Sequence, residues 1–187
     1  MWNYSDKMMD HFRNPRNVGT IENPDGTATV GSLACGDALT FQFKLGEDGK
    51  IAEAKFKTFG CASAIASSSA LTEMVIGKTL EEASKITNAQ IADYLGGLPP
   101  QKMHCSVMGR EALEAAIKNY ETGEVADKDL EEKKLCSCFN VSENEVRRQI
   151  TENSLTSVDE VVNFTKAGAG CGMCRDRIAE ILKELGA

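Results

Sequence analysis

Residues 27–59 read TATVGSLACGDALTFQFKLGEDGKIAEAKFKTF, and this stretch decides the fold class of the first half of the chain. Apolar and polar residues alternate over Leu39–Leu45, which is the period of a half-buried β-strand. Strands are also predicted for Thr27–Ala34 and for Ile51–Phe59, where Ala52, Ala54, Phe56 and Thr58 are expected on one face. The turn Gly46–Gly49 joins the last two strands, and such short connections favour an antiparallel meander.

Helices are predicted on both sides of this meander. A helix over Asn3–Asn14 is stopped by Pro15, and helical patterns follow Cys61, Thr79 and Cys105. Gly77 is expected to end the helix after Cys61 in a left-handed conformation. The pattern predicts an α+β fold in which helices cover one side of an antiparallel three-stranded sheet.

A highly charged stretch separates this part of the chain from the rest. Residues 121–134 read ETGEVADKDLEEKK, which is typical of a linker, although a solvated helix end has the same composition. We predict a first domain over residues 1–125, a charged linker over 126–134 and a second domain over 135–187. Capping boxes at Ser142 and Ser157 predict that the second domain is small and mainly helical. Its core is marginal for its size, and a bound metal centre would stabilise it.

Composition limits the classes of function. The 187 residues carry a formal net charge of −7, which argues against a broad nucleic-acid-binding surface. No apolar run approaches the ~20 residues of a membrane helix and no signal peptide is recognisable, so the chain is expected in the cytoplasm. In that compartment its seven cysteines are expected to be metal ligands or reactive thiols rather than disulfides.

Three of the cysteines stand far apart in the sequence. Cys35 is expected between strands, and Cys61 and Cys105 immediately before helices, where a helix N-terminus stabilises a thiolate. Asp37 and His104 are candidate fourth ligands, and both bind an iron–sulfur cluster more weakly than a thiolate does. The spacing alone leaves three alternatives, namely buried core cysteines, a zinc site and a labile iron–sulfur site.

The other four cysteines form two tight pairs, a C-x-C pair at Cys136 and Cys138 and a C-x-x-C pair at Cys171 and Cys174. Four thiolates suit either structural zinc or a [2Fe–2S] cluster. Because zinc knuckles mostly use C-x₂₋₄-C spacing, the C-x-C pair favours iron–sulfur.

Arginines lie near these two pairs on an otherwise acidic chain. They are Arg147, Arg148, Arg175 and Arg177. They either lie on solvated helix faces or form a local basic patch for an acidic redox partner.

Three segments resemble the iron–sulfur scaffold family, which comprises IscU and the N-terminal domain of NifU. They are GSLACGDALTF (Gly31–Phe41), KTFGCASAIASSSALTEM (Lys57–Met74) and LPPQKMHCSVMGREALEAAIKNY (Leu98–Tyr120). The opening WNYSDKMMDHFRNPRNVG is also similar to NifU, so the resemblance covers nearly all of residues 1–125. It implies a transient [2Fe–2S] cluster on Cys35, Cys61 and Cys105, with Asp37 as the aspartate that keeps it labile. It further implies Cys105 as the main persulfide acceptor and His104 as an alternative ligand.

One position departs from the scaffold family. Leu98–Lys102 reads LPPQK, whereas the chaperone-recognition motif of IscU reads LPPVK. The resemblance therefore does not extend to delivery by a dedicated Hsp70.

A second resemblance covers roughly Leu135–Leu185. KLCSCFNVSENEVRRQI and FTKAGAGCGMCRDRI are similar to the bacterioferritin-associated-ferredoxin-like domain in the middle of NifU. This implies a stable, redox-active [2Fe–2S] cluster on Cys136, Cys138, Cys171 and Cys174.

The order of the two domains implies a NifU-type assembly scaffold, a cluster carrier rather than an enzyme, working as a homodimer. It would receive sulfur from a pyridoxal-phosphate cysteine desulfurase and pass clusters to apo iron–sulfur proteins, while the permanent cluster supplies electrons. The third, C-terminal domain common in NifU proteins is not present before the chain stops at Ala187. Two alternatives remain at this point: an electron-transfer protein with a structural first domain, and a zinc-stabilised interaction module.

Overall fold

A computed structural model describes residues 4–32, 37–124, 134–139 and 141–186, including all side chains except those of Ser32 and Asp37. Cys35 and nearly all of the predicted linker lie outside the described residues, and Lys134, the last residue of that linker, already belongs to a strand. The chain divides into two compact units, one formed by Met1–Pro99 with Cys105–Ala126 and the other by Pro100–His104 with Asp127–Ala187. In the described ranges, no helix has the length and apolar character needed to cross a membrane.

The first unit is built on an antiparallel sheet with strand order β1-β2-β3, which confirms the predicted meander. The strands are β1 (Gly26–Ser32), β2 (Asp37–Leu45) and β3 (Ile51–Phe59). The helices along this part of the chain are α1 (Asp6–Arg13), α2 (Ala62–Val75), α3 (Leu80–Ser84), α4 (Asn88–Tyr94) and α5 (Met103–Thr122). The predicted α+β fold is therefore confirmed.

One face of the sheet forms the core. Leu39, Phe41 and Phe43 are fully buried and pack with side chains of the helices, as their alternation predicts. Burying a side chain of this size stabilises a fold by roughly 1.5–3 kcal/mol. Gly77 ends the helical segment with φ of 83°, as predicted.

The predicted face of β3 was wrong at its first position. The register shifts between Lys44, which lies opposite Glu53, and Leu45, which lies opposite Ile51. Ala52 is thus the extra residue of a β-bulge, and it is exposed while Ile51 is fully buried.

Helix α2 is unusual because it is buried on nearly every side and most of its buried side chains are small. Its buried residues are Ser63, Ala64, Ala66, Ser67, Ser68, Ser69, Ala70, Leu71, Thr72 and Val75. Such small residues let the helix approach its neighbours closely, and this approach fixes the end of the helix that carries Cys61.

A buried polar contact joins α1 to α2. Nδ1 of the buried His11 lies 2.9 Å from Ser69 Oγ, and His11 Nε2 lies 3.5 Å from a Glu73 carboxylate oxygen. Because the carboxylate only accepts, the ring proton belongs on Nε2, and the Ser69 hydroxyl donates to Nδ1. Burial, with a contribution from Arg16, lowers the pKa of His11, so the ring is neutral when the two helices are joined.

The second unit is small and mainly helical, as predicted. Its elements are a 3₁₀ turn (Pro100–Lys102), the hairpin strands β4 (Lys134–Cys136) and β5 (Val141–Ser142), and the helices α6 (Glu143–Asn153), α7 (Val158–Thr165) and α8 (Arg175–Leu185). Its core consists of buried aliphatic side chains, among them Val146, Ile150, Val161, Ile178 and Ile181.

The two predicted capping boxes have different outcomes. The box at Ser157 is complete, since its hydroxyl accepts from the Glu160 N–H and the Glu160 carboxylate accepts from the Ser157 N–H. Ser142 accepts from the Glu145 N–H at 3.1 Å, but the Glu145 carboxylate accepts from Gln149 Nε2 at 2.8 Å instead of from the cap. The predicted capping box at Ser142 was therefore right for its serine and wrong for its glutamate.

Candidate metal centres

Two cysteines of the first unit meet at helix N-termini. Cys61 is the N-cap residue of α2, as predicted, and follows β3 after a single glycine. Cys105 lies inside the first turn of α5 rather than immediately before the helix, so the predicted start of that helix was three residues too late. The reason is that the 3₁₀ turn Pro100–Lys102 runs directly into α5. The Sγ atoms of Cys61 and Cys105 are 3.5 Å apart.

The two thiols differ in exposure. Cys105 is fully buried, with 0% of its surface accessible, whereas Cys61 is partly exposed. Both lie where backbone N–H groups and the helix dipole favour a thiolate. The pair can therefore act as metal ligands or as sulfur nucleophiles, and Cys61 is the one that solvent reaches.

The start of β2 lies at the same end of the sheet as the end of β3, which Cys61 follows. Ser32 pairs with Asp37, and the next residue of β2, Ala38, pairs with Phe59 at the end of β3. The β1–β2 connection, in which Cys35 falls, therefore leaves and rejoins the sheet at the end where Cys61 follows β3. Cys35 itself lies outside the described residues, and so does the side chain of Asp37.

His104 precedes Cys105 and is partly buried. Burial lowers the pKa of His104 to about 4, and the positive charges of Lys166 and Lys102 add to this shift. The imidazole is neutral at pH 7, which is the form that can ligate a metal.

The four remaining cysteines come together in the second unit as two pairs. Cys138 Sγ lies 3.5 Å from Cys171 Sγ, and Cys136 and Cys174 are both buried in the core of this unit. Cys136 and Cys174 are buried, Cys138 is partly exposed and Cys171 is exposed. Within the described residues no three metal-binding side chains surround a single point, so the thiols are arranged as pairs.

Burial affects the ionisation of one thiol of the buried pair. Burial, followed by the hydrogen bond with Cys136, raises the pKa of the Cys174 thiol. A bound metal reverses this preference, because thiols ligate as thiolates and release their protons on binding. Four thiolates in two pairs match the number of ligands that a [2Fe–2S] cluster requires.

Glycines let the two ligand segments of this site approach each other. A Cβ on Gly170 would lie 2.9 Å from Cys138 Cβ and 3.1 Å from Cys138 Sγ, which is closer than side chains tolerate. Gly168 has φ of 88°, and a Cβ there would lie 2.9 Å from Arg175 Cγ. No contact between Gly170 and Cys138 was predicted from the sequence. The signal available was a glycine immediately before the C-x-x-C pair.

The arginines of the second unit do not leave an unbalanced positive patch. Each of the four has a carboxylate partner, in the pairs Arg147 with Glu143 and Glu184, Arg148 with Glu145, Arg175 with Asp159, and Arg177 with Glu143, Glu180 and Glu184. The pairs of Glu143 and Glu184 tie α6 to α8. Solvated helix faces are thus the better description, and the structure does not favour a basic docking patch.

Both halves of the chain match known protein families. Residues 3–127 match the family described as the NifU-like N terminal domain, and residues 135–184 match the BFD-like [2Fe-2S] binding domain. The chain is 54% identical over 194 residues to the nitrogen fixation protein NifU of Trichormus azollae, covering 99% of this chain and 65% of that protein. It spans 60–65% of the length of such NifU proteins. It is also 56% identical over 120 residues to the iron-sulfur cluster assembly scaffold protein IscU of Azotobacter vinelandii, covering 63% of this chain and 93% of that protein.

Solved structures agree on the fold of the first unit. A NifU-like N-terminal protein of Brucella abortus superposes with a TM-score of 0.53 at 20% identity, over 64% of this chain and 95% of that one. A candidate SUF-system scaffold protein of Fervidobacterium islandicum gives a TM-score of 0.51 at 27% identity, over 61% of this chain and 96% of that one. The chain therefore belongs to the family of NifU-like N-terminal domains, the iron–sulfur scaffold family that its sequence resembles, and a BFD-like [2Fe-2S] binding domain follows.

Proposed function

We propose that the chain is a scaffold on which a [2Fe–2S] cluster is assembled and from which the cluster passes to apo iron–sulfur proteins. The observation that carries this proposal is the 3.5 Å contact between the thiols of Cys61 and Cys105 at two helix N-termini. Cys35 and Asp37 complete the ligand set, because the chain on either side of them returns to the same end of the sheet. His104, neutral at pH 7, is the alternative ligand. The cluster built here is the cargo of the protein.

Sulfur reaches this site from a pyridoxal-phosphate cysteine desulfurase, and Cys105 is the thiol that holds it as a persulfide. The proposal places the chain in a reducing compartment such as the cytoplasm, because both sites act through thiolates. We expect a homodimer that binds neither nucleic acid nor membrane, with a first domain over residues 1–125 and a second over 135–187.

The second domain is proposed to hold its resident [2Fe–2S] cluster on Cys136, Cys138, Cys171 and Cys174. Bound there, the cluster would supply single electrons for the reduction of persulfide sulfur to sulfide. The four cysteines differ in their positions within the site. Cys136 and Cys174 anchor the site inside the core, while Cys138 and Cys171 lie on its exposed side, where an electron donor can approach. Gly170 gives Cys138 the space that it needs.

Anaerobic assembly tests the proposal. The full chain, a cysteine desulfurase, L-cysteine and ferrous iron are mixed, and iron, acid-labile sulfide and transfer to an apo-ferredoxin are followed. We expect the wild type to gain iron and sulfide beyond its resident cluster and to activate the apo-ferredoxin. Cys61→Ser is expected to lose this additional fraction and keep the resident cluster.

Cys171→Ser, assayed with dithiothreitol as an external source of electrons, is the matched control, since it changes the resident site and leaves the first unit intact. Equal iron, sulfide and transfer in the wild type and Cys61→Ser would contradict the scaffold function. Zinc as the metal of both sites, with no visible absorption, would contradict it as well.

A further inference from the structure

The thiols of Cys61 and Cys105 touch, yet a partner protein could reach only one of them. Their Sγ atoms are 3.5 Å apart, Cys105 is fully buried and Cys61 is partly exposed. A persulfide on a desulfurase is held on another protein and has to meet its acceptor at a surface. The thiol that is expected to hold sulfur is therefore not the one that the donor can meet.

We propose that Cys61 is the entry thiol of a two-step relay, which takes sulfane sulfur from the donor and hands it inward to Cys105. This relay rests on the proposed function and specifies the route of sulfur within it.

The chemistry is balanced without an external oxidant or reductant. In the first step, the Cys61 thiolate attacks the outer sulfur of the desulfurase persulfide, and the desulfurase thiolate leaves. In the second step, the Cys105 thiolate attacks the outer sulfur of the Cys61 persulfide. The new bond forms at Cys105 Sγ, the bond to Cys61 Sγ breaks, and its electron pair returns to Cys61 as a thiolate. One sulfur atom moves with no net change in oxidation state.

The second step needs only a small side-chain movement. A sulfur–sulfur bond is about 2.0 Å long, and the attacking, transferred and leaving sulfur atoms lie in line, so the two Sγ atoms have to separate from 3.5 Å to a little over ~4 Å. A χ1 rotation at the partly exposed Cys61 gives this separation without moving either helix. Both partners also lie at helix N-termini, Cys61 as the N-cap residue of α2 and Cys105 in the first turn of α5. Such positions stabilise the attacking thiolate and the leaving thiolate.

The relay is tested by following ³⁴S from labelled L-cysteine, through a cysteine desulfurase, into the full chain. After rapid alkylation, trypsin releases Cys61 in peptide Thr58–Lys78 and Cys105 in peptide Met103–Arg110, so mass spectrometry reads the two sites separately. In the wild type, we expect label to rise first on Thr58–Lys78 and to decay as it rises on Met103–Arg110. In Cys105→Ala, label should accumulate on Thr58–Lys78.

Cys61→Ser is the decisive variant. Serine is a preferred N-cap residue, so α2 is expected to keep its start, which circular dichroism checks. We expect the initial rate of labelling of Met103–Arg110 to fall by about tenfold or more, because the direct route to a buried thiol is slow. Labelling of Cys105 at the wild-type rate in this variant, or label that appears on Cys105 first in the wild type, would overturn the relay.

Failure of the relay can be distinguished from failure of the scaffold function. If the relay alone is wrong, Cys105 acquires label without Cys61. If neither peptide is labelled in the wild type while the desulfurase still releases sulfide with dithiothreitol, both the sulfur-acceptor role and the relay are refuted.

Discussion

The two thiol sites of this chain are positioned in opposite ways. Cys61 and Cys105 stand at the starts of two long helices, so their separation depends on how α2 and α5 pack within a whole domain. In the second unit, the cysteines lie on a short strand, a turn, a glycine loop and the N-cap of α8, and a missing Cβ at Gly170 sets the approach of Cys138. The first site is therefore set by how two helices pack, and the second by how closely the backbones of two loops approach each other.

The largest expected effect is the difference in retained iron between replacing a buried thiol and replacing an exposed thiol of the second site. Cys174→Ser places a hydroxyl in an apolar pocket, where an unsatisfied polar group costs about 1–3 kcal/mol, and it removes a buried ligand. We expect this variant to lose nearly all visible absorption and resident iron. Cys171→Ser, at an exposed position, is expected to retain a measurable fraction. Equal retention in the two variants, by iron analysis and visible spectra, would mean that burial does not govern cluster stability.

Gly170→Ala tests the claim that the close approach of two loops governs the second site. The added methyl would overlap Cys138, and relieving such an overlap typically costs about 1–3 kcal/mol. We expect faster loss of resident iron to a chelator and an altered visible circular dichroism spectrum. Gly109→Ala in α5 is the control, because its Cβ would lie at an ordinary 3.5 Å from Leu71. A wild-type rate of iron loss in Gly170→Ala would refute the constraint.

Acid should loosen the contact between α1 and α2 before it weakens the carboxylate pairs that tie α6 to α8. The folded-state pKa of His11 is below its unfolded value of about 6.5, so its contribution is complete above that pH and is lost as pH falls below it. Arg147 and Arg177 lower the pKa values of Glu143 and Glu184, whose contributions are present above pH 4.5 and lost at lower pH.

Amide hydrogen exchange of the iron-free chain, corrected for intrinsic rates, measures this order. Between pH 7.5 and 5.5 we expect protection to fall in α1 and α2. Burial also lowers the pKa of His104 to about 4, so the second unit loses stability over the same range, and the comparison is made in a His104→Gln background, where α6 and α8 should change little. His11→Gln should remove most of this pH dependence, because glutamine stays neutral. An unchanged pH dependence in that variant would assign the effect to another group.

The smallest expected effect concerns a helix end in the second unit. Ser154 ends α6 with φ of 50°, a left-handed conformation that glycine adopts more easily. We expect Ser154→Gly to raise the free energy of unfolding of this unit by about 0.5–1 kcal/mol. Thr151→Gly, inside the same helix, is the control and should lower it by a similar amount. Thermal unfolding of the resident-cluster form would contradict this if both variants changed in the same direction.

Sequence patterns predicted the parts of the fold that depend on local periodicity. The bounds of β3 and the left-handed end at Gly77 follow from alternation and from glycine chemistry. The exposure of Ala52 could not be predicted, because it depends on the register with β2. The start of α5 before Cys105 was missed because Pro100 opens a 3₁₀ turn that runs directly into the helix.

The same distinction applies to the candidate sites. Cysteines that are close in the sequence, such as Cys136 and Cys138, can be predicted from their spacing. Contacts between distant segments cannot be predicted in this way. The contact of Cys61 with Cys105 joins two helices, and the closeness of Gly170 to Cys138 joins two loops. Neutralisation of Arg177 by Glu143 likewise requires α6 and α8 to be packed together.

The alanines and serines that bury α2 also affect how this domain can evolve. Side chains this short end at the β or γ atom, so a change of rotamer frees almost no space for a larger neighbour. A larger residue at such a position would displace the helix as a rigid body and carry Cys61 with it. The helix is thus expected to accept few substitutions along its length, including positions far from any ligand, and a change in sulfur chemistry could originate several turns away from the thiols.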